Sequence, residues 1–181
     1  SWKQWLGKQR LVTLPSKYRS RLYFKNKNQS TDEFEEIGEK QAQDYVYLGD
    51  LLRARKRLLA ASKEYLKAVA IVGESSPIIQ SKVAATLLAL EKPAEALEAI
   101  EPPLSFHPKY VLLRLYQGTA LLALGKAKEA AVALEKAVHL NPFNPEAHER
   151  LLDACISIKD ETCATRERKA IEILGGSQQK R

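Results

Sequence analysis

Apolar residues recur every three or four positions along most of the chain, which is the spacing of a helix with one buried face. The clearest segment is GTALLALGKAKEAAVALEKAVHLNP, residues 118–142, in which helix-forming residues run on both sides of Gly125. Gly125 predicts the end of a first helix, because glycine readily adopts the backbone conformation that closes helices. A second helix is predicted to follow and to end at Pro142. The segment therefore predicts a helical hairpin.

The hairpin pattern recurs along the chain at a fixed spacing. The letters LLAL at 121–124 match LLAL at 87–90, and Pro142 matches Pro108 by the same step. A step longer by one position brings the segment YVYLGDLLRARKRLLAASKEYLKAV, residues 45–69, onto the same pattern. A fixed period of about 34 residues is the signature of a repeat array. The sequence therefore predicts a leader, 1–41, and four units, 42–76, 77–110, 111–144 and 145–177.

Small residues mark the places where the two helices of a hairpin should approach. Gly118 and Ala130 are predicted to face each other, with Leu121 and Leu134 filling the space on either side. Glycine inside a helix costs about 0.5–1 kcal/mol relative to alanine. Its presence at Gly118, and at Gly49 in the first unit, therefore indicates a packing requirement.

This arrangement resembles the tetratricopeptide repeat family over about residues 42–177. The resemblance implies an all-α, right-handed superhelical array of about four helix-turn-helix hairpins. It also implies that partners bind in the concave groove lined by the first helix of each unit. The matching residues of the first unit are Leu48, Gly49, Leu52, Ala61, Tyr65 and Ala68. Those of the third are Gly118, Leu121, Leu124, Gly125, Ala130, Leu134, Ala137 and Pro142.

Two units depart from the pattern. In the second unit, the pair Pro102-Pro103 predicts that the second helix ends near Ile100, because proline disrupts a helix interior. In the fourth unit, Arg168 stands where an apolar residue is expected. Its second helix is predicted either to be frayed or to cap the array with a polar face, as terminal repeats require.

The leader differs from the rest of the chain in charge. Residues 1–30 contain eight Lys or Arg residues and no acid, whereas residues 32–39 contain five acids and no base. Ser30 and Glu33 have the spacing of a capping box, so we expect one long helix from about Thr31 to Arg55 that runs into the first unit. Methionine is absent even at position 1, which indicates a fragment or a processed chain. The compartment stays open between cytoplasmic and extracytoplasmic.

No catalytic constellation is recognisable, so we expect no enzyme, no cofactor and no metal in this fragment. The segment AHERLL contains His148 and Glu149, but Leu152 occupies the place of the second zinc ligand. The other histidines, His107 and His139, are scattered, and all three are predicted at the surface. Cys155 and Cys163 fall on the two helices of the last hairpin. Two separate small core residues are favoured over a disulfide.

The first helices supply the candidate binding residues, because stacked hairpins form an extended concave surface. The resemblance implies a clamp of Lys, Asn and Arg for a terminal carboxylate in the family's chaperone-tail receptors. Its positions hold Val46, Asp50, Leu112 and Tyr116 here, which argues against that ligand. A mixed groove with tyrosines suits an extended peptide or a partner helix. The predicted groove residues are Tyr47, Asp50, Arg53, Lys82, Tyr116, Thr119, Glu149, Arg150 and Asp153.

The favoured function is a protein–protein interaction scaffold. We expect a protein or peptide partner, no small-molecule substrate and no membrane span, and homo-oligomerisation stays open. A first alternative comes from a second resemblance. SWKQWL and the first unit are similar to the region after the catalytic domain of some bacterial gluzincin-like metallopeptidases. This resemblance implies that the chain positions substrate or partners for such a domain. A second alternative is that the basic, aromatic leader contacts nucleic acid or an anionic surface. Nucleic acid is not favoured, because no known module for it is recognisable.

Overall fold

A computed structural model describes residues 37–178 of the 181-residue chain. This part of the chain consists of eight helices and contains no strand. The predicted all-α fold is confirmed, whereas the basic leader up to residue 36, with the predicted helix start at Thr31, lies outside the described range. The helices are α1 Lys40–Ala54, α2 Leu58–Val72, α3 Pro77–Ala89, α4 Pro93–Phe106, α5 Val111–Ala123, α6 Ala127–Leu140, α7 Pro145–Ser157 and α8 Glu161–Gln178.

The helices pack as four hairpins in chain order. Within each hairpin the first and second helices have extensive contact, and each second helix also packs on the first helix of the next hairpin. In addition, α3 contacts α5 and α5 contacts α7, whereas no comparable contact joins consecutive second helices. Helices α3, α5 and α7 therefore lie on the inner side of the array, where α1 joins them through the Asp50–Lys82 ion pair, and the second helices lie on its outer side.

Every hairpin turn uses one residue in the left-handed backbone region. Gly125 has φ 74°, and its N–H donates to the Leu122 carbonyl at 2.9 Å. The equivalent residues Lys56, Glu91 and Lys159 have φ between 58° and 60° and make the same bond at 2.9–3.1 Å. The following N–H bonds back to the carbonyl five residues earlier in all four turns, which closes the helix end. Gly125 thus ends its helix as predicted, and three non-glycine residues do the same elsewhere.

Two glycines allow the helices of a hairpin to approach closely. A methyl group built on Gly49 would lie 2.5 Å from the Tyr65 ring, and one built on Gly118 would overlap Leu134. Both large side chains are fully buried. The predicted close approach at Gly118 is therefore present, with Leu134 lying directly over the glycine instead of beside it.

The core divides into two clusters along the array. One is built mainly from the first two hairpins and the other from the last two. Leu97 and Tyr116 pack against both clusters, so they connect the two halves.

The first helix begins later than predicted. Helix α1 starts at Lys40, so the prediction of one continuous helix from Thr31 to Arg55 is wrong. Gly38 has φ 73°, and Glu39 has an extended backbone with φ −89° and ψ 117°. A left-handed residue followed by an extended one interrupts any helix that precedes them.

Helix α4 runs further than predicted. It continues to Phe106 through Pro102 and Pro103, so the predicted end near Ile100 is wrong. Each proline removes one helical hydrogen bond because it has no N–H. Pro103 and Leu104 are buried, however, and this burial stabilises a helix that continues past the prolines. The Ser105 hydroxyl also donates to the Pro102 carbonyl at 2.7 Å.

Helix α8 is continuous over Glu161–Gln178, so the frayed alternative for the fourth unit is wrong. Arg168 is exposed on this helix, as are Arg166 and Lys169. Its exposed face is therefore mainly polar, with Ile173 as an apolar exception, which matches the capping alternative. No described helix is both long and apolar enough to cross a bilayer.

Candidate binding groove

Three first helices enclose a pocket of about 130 Å³ on the inner side of the array. It brings together three of the predicted groove residues, Arg53 from α1, Lys82 from α3 and Tyr116 from α5. The rest of the lining combines polar and apolar side chains. These residues are Ile78, Ser81, Ala85, Tyr110 and Leu112.

Asp50 connects the first hairpin to the second unit. The Tyr65 hydroxyl donates to one carboxylate oxygen of Asp50 at 2.6 Å, and the Lys82 ammonium donates to the other at 3.0 Å. Burial raises the pKa of Tyr65 well above its usual value, and the hydrogen bond to Asp50 raises it further. Asp50 therefore has a structural role at the edge of the groove as well as contributing charge to it.

Tyr47 and Thr119 are further predicted groove residues. Tyr47 is 59% exposed, although it is a large aromatic residue. The Thr119 hydroxyl donates to the Leu115 carbonyl at 2.9 Å, so this side chain is held against its own helix. Val46, which has the same place in the first unit as Leu115 in the third, is fully buried like Leu115 and belongs to the core.

The last unit contributes charged side chains. Glu149, Arg150 and Asp153 are exposed on α7, and the guanidinium of Arg150 lies 3.6 Å from the Asp153 carboxylate. They do not line the pocket at Arg53. Of the predicted set, three residues therefore line this pocket and three lie on α7, whereas Tyr47, Asp50 and Thr119 lie on α1 and α5 outside the pocket lining.

Tyr116 lines the pocket and is also within electrostatic reach of α7. Burial raises its pKa, the nearby Glu146 carboxylate raises it further, and the Arg53 guanidinium lowers it. Glu146 was not among the predicted residues. Its place could have been found from the repeat period, since it stands one period after Leu112, which lines the pocket.

His148 is buried, so the prediction of a surface histidine is wrong at this position. Its Nδ1 lies 2.6 Å from a carboxylate oxygen of Glu167, and its Nε2 lies 3.0 Å from the Pro142 carbonyl oxygen. Because a carbonyl oxygen only accepts, Nε2 is the donor in the contact with Pro142. This pair holds the last hairpin to the preceding turn. Within residues 37–178 no group of three potential ligands could hold a metal ion.

Cys155 and Cys163 form a disulfide, with their Cα atoms 5.8 Å apart. The favoured prediction of two separate core residues is therefore wrong. Both residues are buried, as that prediction required. They pair because the turn between α7 and α8 places them opposite each other across the hairpin.

Solved structures of repeat proteins superpose on this chain over most of its length. MamA residues 41 to the end from Desulfovibrio magneticus RS-1 is 18% identical, with a TM-score of 0.67 over 80% of this chain and 85% of that one. The thermophilic tetratricopeptide protein TTC0263 from Thermus thermophilus is 22% identical, with a TM-score of 0.65 over 74% of each chain. The chain has the tetratricopeptide repeat fold.

A third structure with this tetratricopeptide fold contains a bound peptide. The first repeat domain of Spaghetti (RPAP3), bound to the HSP90 peptide SRMEEVD, is 21% identical, with a TM-score of 0.63 over 67% of this chain and 95% of that one. No protein-family profile matches the chain, and no curated protein does.

Proposed function

We propose that this tetratricopeptide array is an interaction scaffold that binds an extended peptide or a helix of a partner protein in its inner groove. The observation that carries the proposal is the pocket in which Arg53, Lys82 and Tyr116 converge from three units. Charged, hydroxyl and apolar groups share one concave surface there, which suits a peptide with mixed side chains. The peptide bound to the RPAP3 repeat domain supports the same use of this fold.

A terminal carboxylate is not the favoured ligand of the groove. Val46 is buried among apolar residues, and Asp50 is an acceptor already held by Tyr65 and Lys82, so neither position supplies a donor to a terminal carboxylate. Lys82, which lines the pocket with Arg53 and Tyr116, already donates to Asp50 at 3.0 Å, so one of the two pocket cations is paired with a carboxylate. Internal segments of a partner are therefore favoured over its C-terminus.

The test begins with peptides selected from a random library on the immobilised chain and then measured by calorimetry. Tyr47→Ala removes an exposed aromatic from the groove, and Thr119→Arg places a long side chain in its middle. We expect each variant to weaken binding at least about tenfold, roughly the effect of losing 1.4 kcal/mol. Leu59→Ala is the matched control, because Leu59 is 66% exposed but lies on the second helix of its hairpin.

Circular dichroism establishes that the variants keep their helix content. The proposal is overturned if no selected peptide binds, or if binding depends on Leu59 and is indifferent to Tyr47 and Thr119. Light scattering on the same samples separates a peptide partner from a second copy of the chain.

A further inference from the structure

Helices α3, α5 and α7 present equivalent residues at a constant spacing. Each contains 13 residues, and their first residues, Pro77, Val111 and Pro145, follow one another at one repeat period. Positions one period apart therefore occupy the same place on successive helices. The pocket residues of α3 and α5 identify their counterparts on α7, which are Glu146, Glu149, Arg150 and Asp153.

The charges on this inner surface are sorted along the array. The first two units place two cations, Arg53 and Lys82, beside one carboxylate, Asp50, which is already bonded to Lys82 and Tyr65. The last unit places three carboxylates beside one guanidinium, Arg150, and all four side chains are exposed. The groove therefore has a positive end and a negative end.

The third unit separates these ends with uncharged side chains. Its inner residues include Leu112, Tyr116 and Thr119. Charges at both ends act on Tyr116, because Glu146 raises its pKa and Arg53 lowers it. The change of sign thus falls at α5.

We propose that the groove binds a peptide segment with acidic side chains at one end and basic side chains at the other. The acidic end lies at the Arg53 pocket and the basic end lies along α7. This inference rests on the proposed function and adds the chemical class of the partner. Complementary charge along a groove fixes the register of a ligand and speeds its association.

The distance between the ends fixes the spacing within the peptide. Packed helices have axes about 8–10 Å apart, so α3 and α7, with α5 between them, are separated by about 20 Å. An extended chain advances about 3.3 Å per residue. The acidic and basic blocks should therefore be separated by about six residues.

Three peptides with acetylated N-termini and amidated C-termini test this inference. The first has two Glu residues, six Ser or Ala residues and two Lys residues. The second has the same composition with Glu and Lys interleaved, and the third has Gln in place of every charged residue. We expect the first peptide to bind at least about tenfold more tightly than the second at low ionic strength. We also expect this advantage to shrink as salt is added, because exposed charges are screened.

Charge-reversed variants locate the two ends. Arg53→Glu and Glu149→Lys should each remove most of the advantage of the first peptide. A peptide with Glu at both ends should bind Glu149→Lys more tightly than it binds the wild type. Lys169→Glu and Glu172→Lys are matched controls, because they make the same charge changes at exposed positions of α8.

The outcomes separate this inference from the proposed function. Equal binding of the first two peptides, or an advantage that persists in high salt, overturns the polarised groove. If Thr119→Arg still weakens both peptides in that case, the groove remains the binding site. If neither the charge variants nor Thr119→Arg affects any peptide, the proposed function is overturned as well.

Discussion

Gly118 and Gly49 lie beneath large side chains of the paired helix, so the missing methyl group has a specific structural reason. Leu134 covers one glycine and the Tyr65 ring covers the other. Neither neighbour can move away easily, because both are fully buried. The distance between the two helices of these hairpins therefore depends on single residues.

Gly118→Ala should lower the free energy of unfolding although alanine favours helices. The new methyl group overlaps Leu134, and overpacking of this kind costs about 1–3 kcal/mol. The gain in helix propensity, about 1 kcal/mol, matches only the lower end of that cost, so the expected net loss is up to about 2 kcal/mol. Urea unfolding followed by circular dichroism measures the difference.

Gly175→Ala is the matched control for this change. Gly175 is also helical, but a methyl group there would meet no atom within 4 Å. This variant should be as stable as the wild type or more stable. Equal effects of the two substitutions would show that packing at Gly118 is not the cause.

Tyr65 should make stability depend on pH in the alkaline range. Its folded-state pKa is raised above the unfolded value of 10.0, mainly by burial and then by the bond to Asp50. The unfolded chain therefore releases this proton first, so the contribution is complete below pH 10 and falls as pH rises above it. Unfolding in urea at pH 9, 10 and 11 should show a smaller alkaline loss for Tyr65→Phe than for the wild type. An identical loss in both chains would contradict this assignment.

The four hairpin turns share one backbone geometry but not one residue type. Glycine occupies the left-handed position only in the third hairpin, and Lys56, Glu91 and Lys159 occupy it in the others. A residue with a side chain is strained in this region by about 1–2 kcal/mol. These three turns are therefore less favourable than the turn at Gly125.

Glu91→Gly should raise the free energy of unfolding by about 1 kcal/mol, because glycine relieves this strain. Gly125→Ala should lower it by a similar amount. The control is Lys92→Gly, since Lys92 has φ −115°, where glycine brings no relief. Chemical denaturation of the three variants measures these changes in the free energy of unfolding. A loss of stability in Glu91→Gly would show that the left-handed backbone at Glu91 is not strained.

The disulfide links α7 to α8 through two cysteines that are eight positions apart in sequence. The chain-entropy estimate for so short a loop is about 2.5 kcal/mol. Reduction by dithiothreitol should therefore weaken hydrogen-exchange protection in α7 and α8 while leaving α1 and α2 unchanged. The double variant Cys155→Ala/Cys163→Ala should already show the weaker protection and should not respond to the reductant.

The repeat period was enough to predict the fold of the described part. Each hairpin cannot bury its apolar face alone, so regular spacing of small and apolar residues requires stacking. The same period predicted that the candidate groove residues lie on the first helices. It could not identify the His148–Glu167 pair, because two polar residues 19 positions apart carry no periodic signal. It also missed the continuation of α4, where burial of Pro103 outweighs a local preference.

At the scale of the whole array, the contacts between the described helices join segments that are close in sequence. Substantial contacts in the described part join only neighbouring helices or next neighbours. No distant segments have to meet before the core forms, so we expect fast folding that can begin at any hairpin. Under a force applied to the two ends, the described part should come apart one hairpin at a time. The last hairpin would stay closed between Cys155 and Cys163, because a covalent bond spans it.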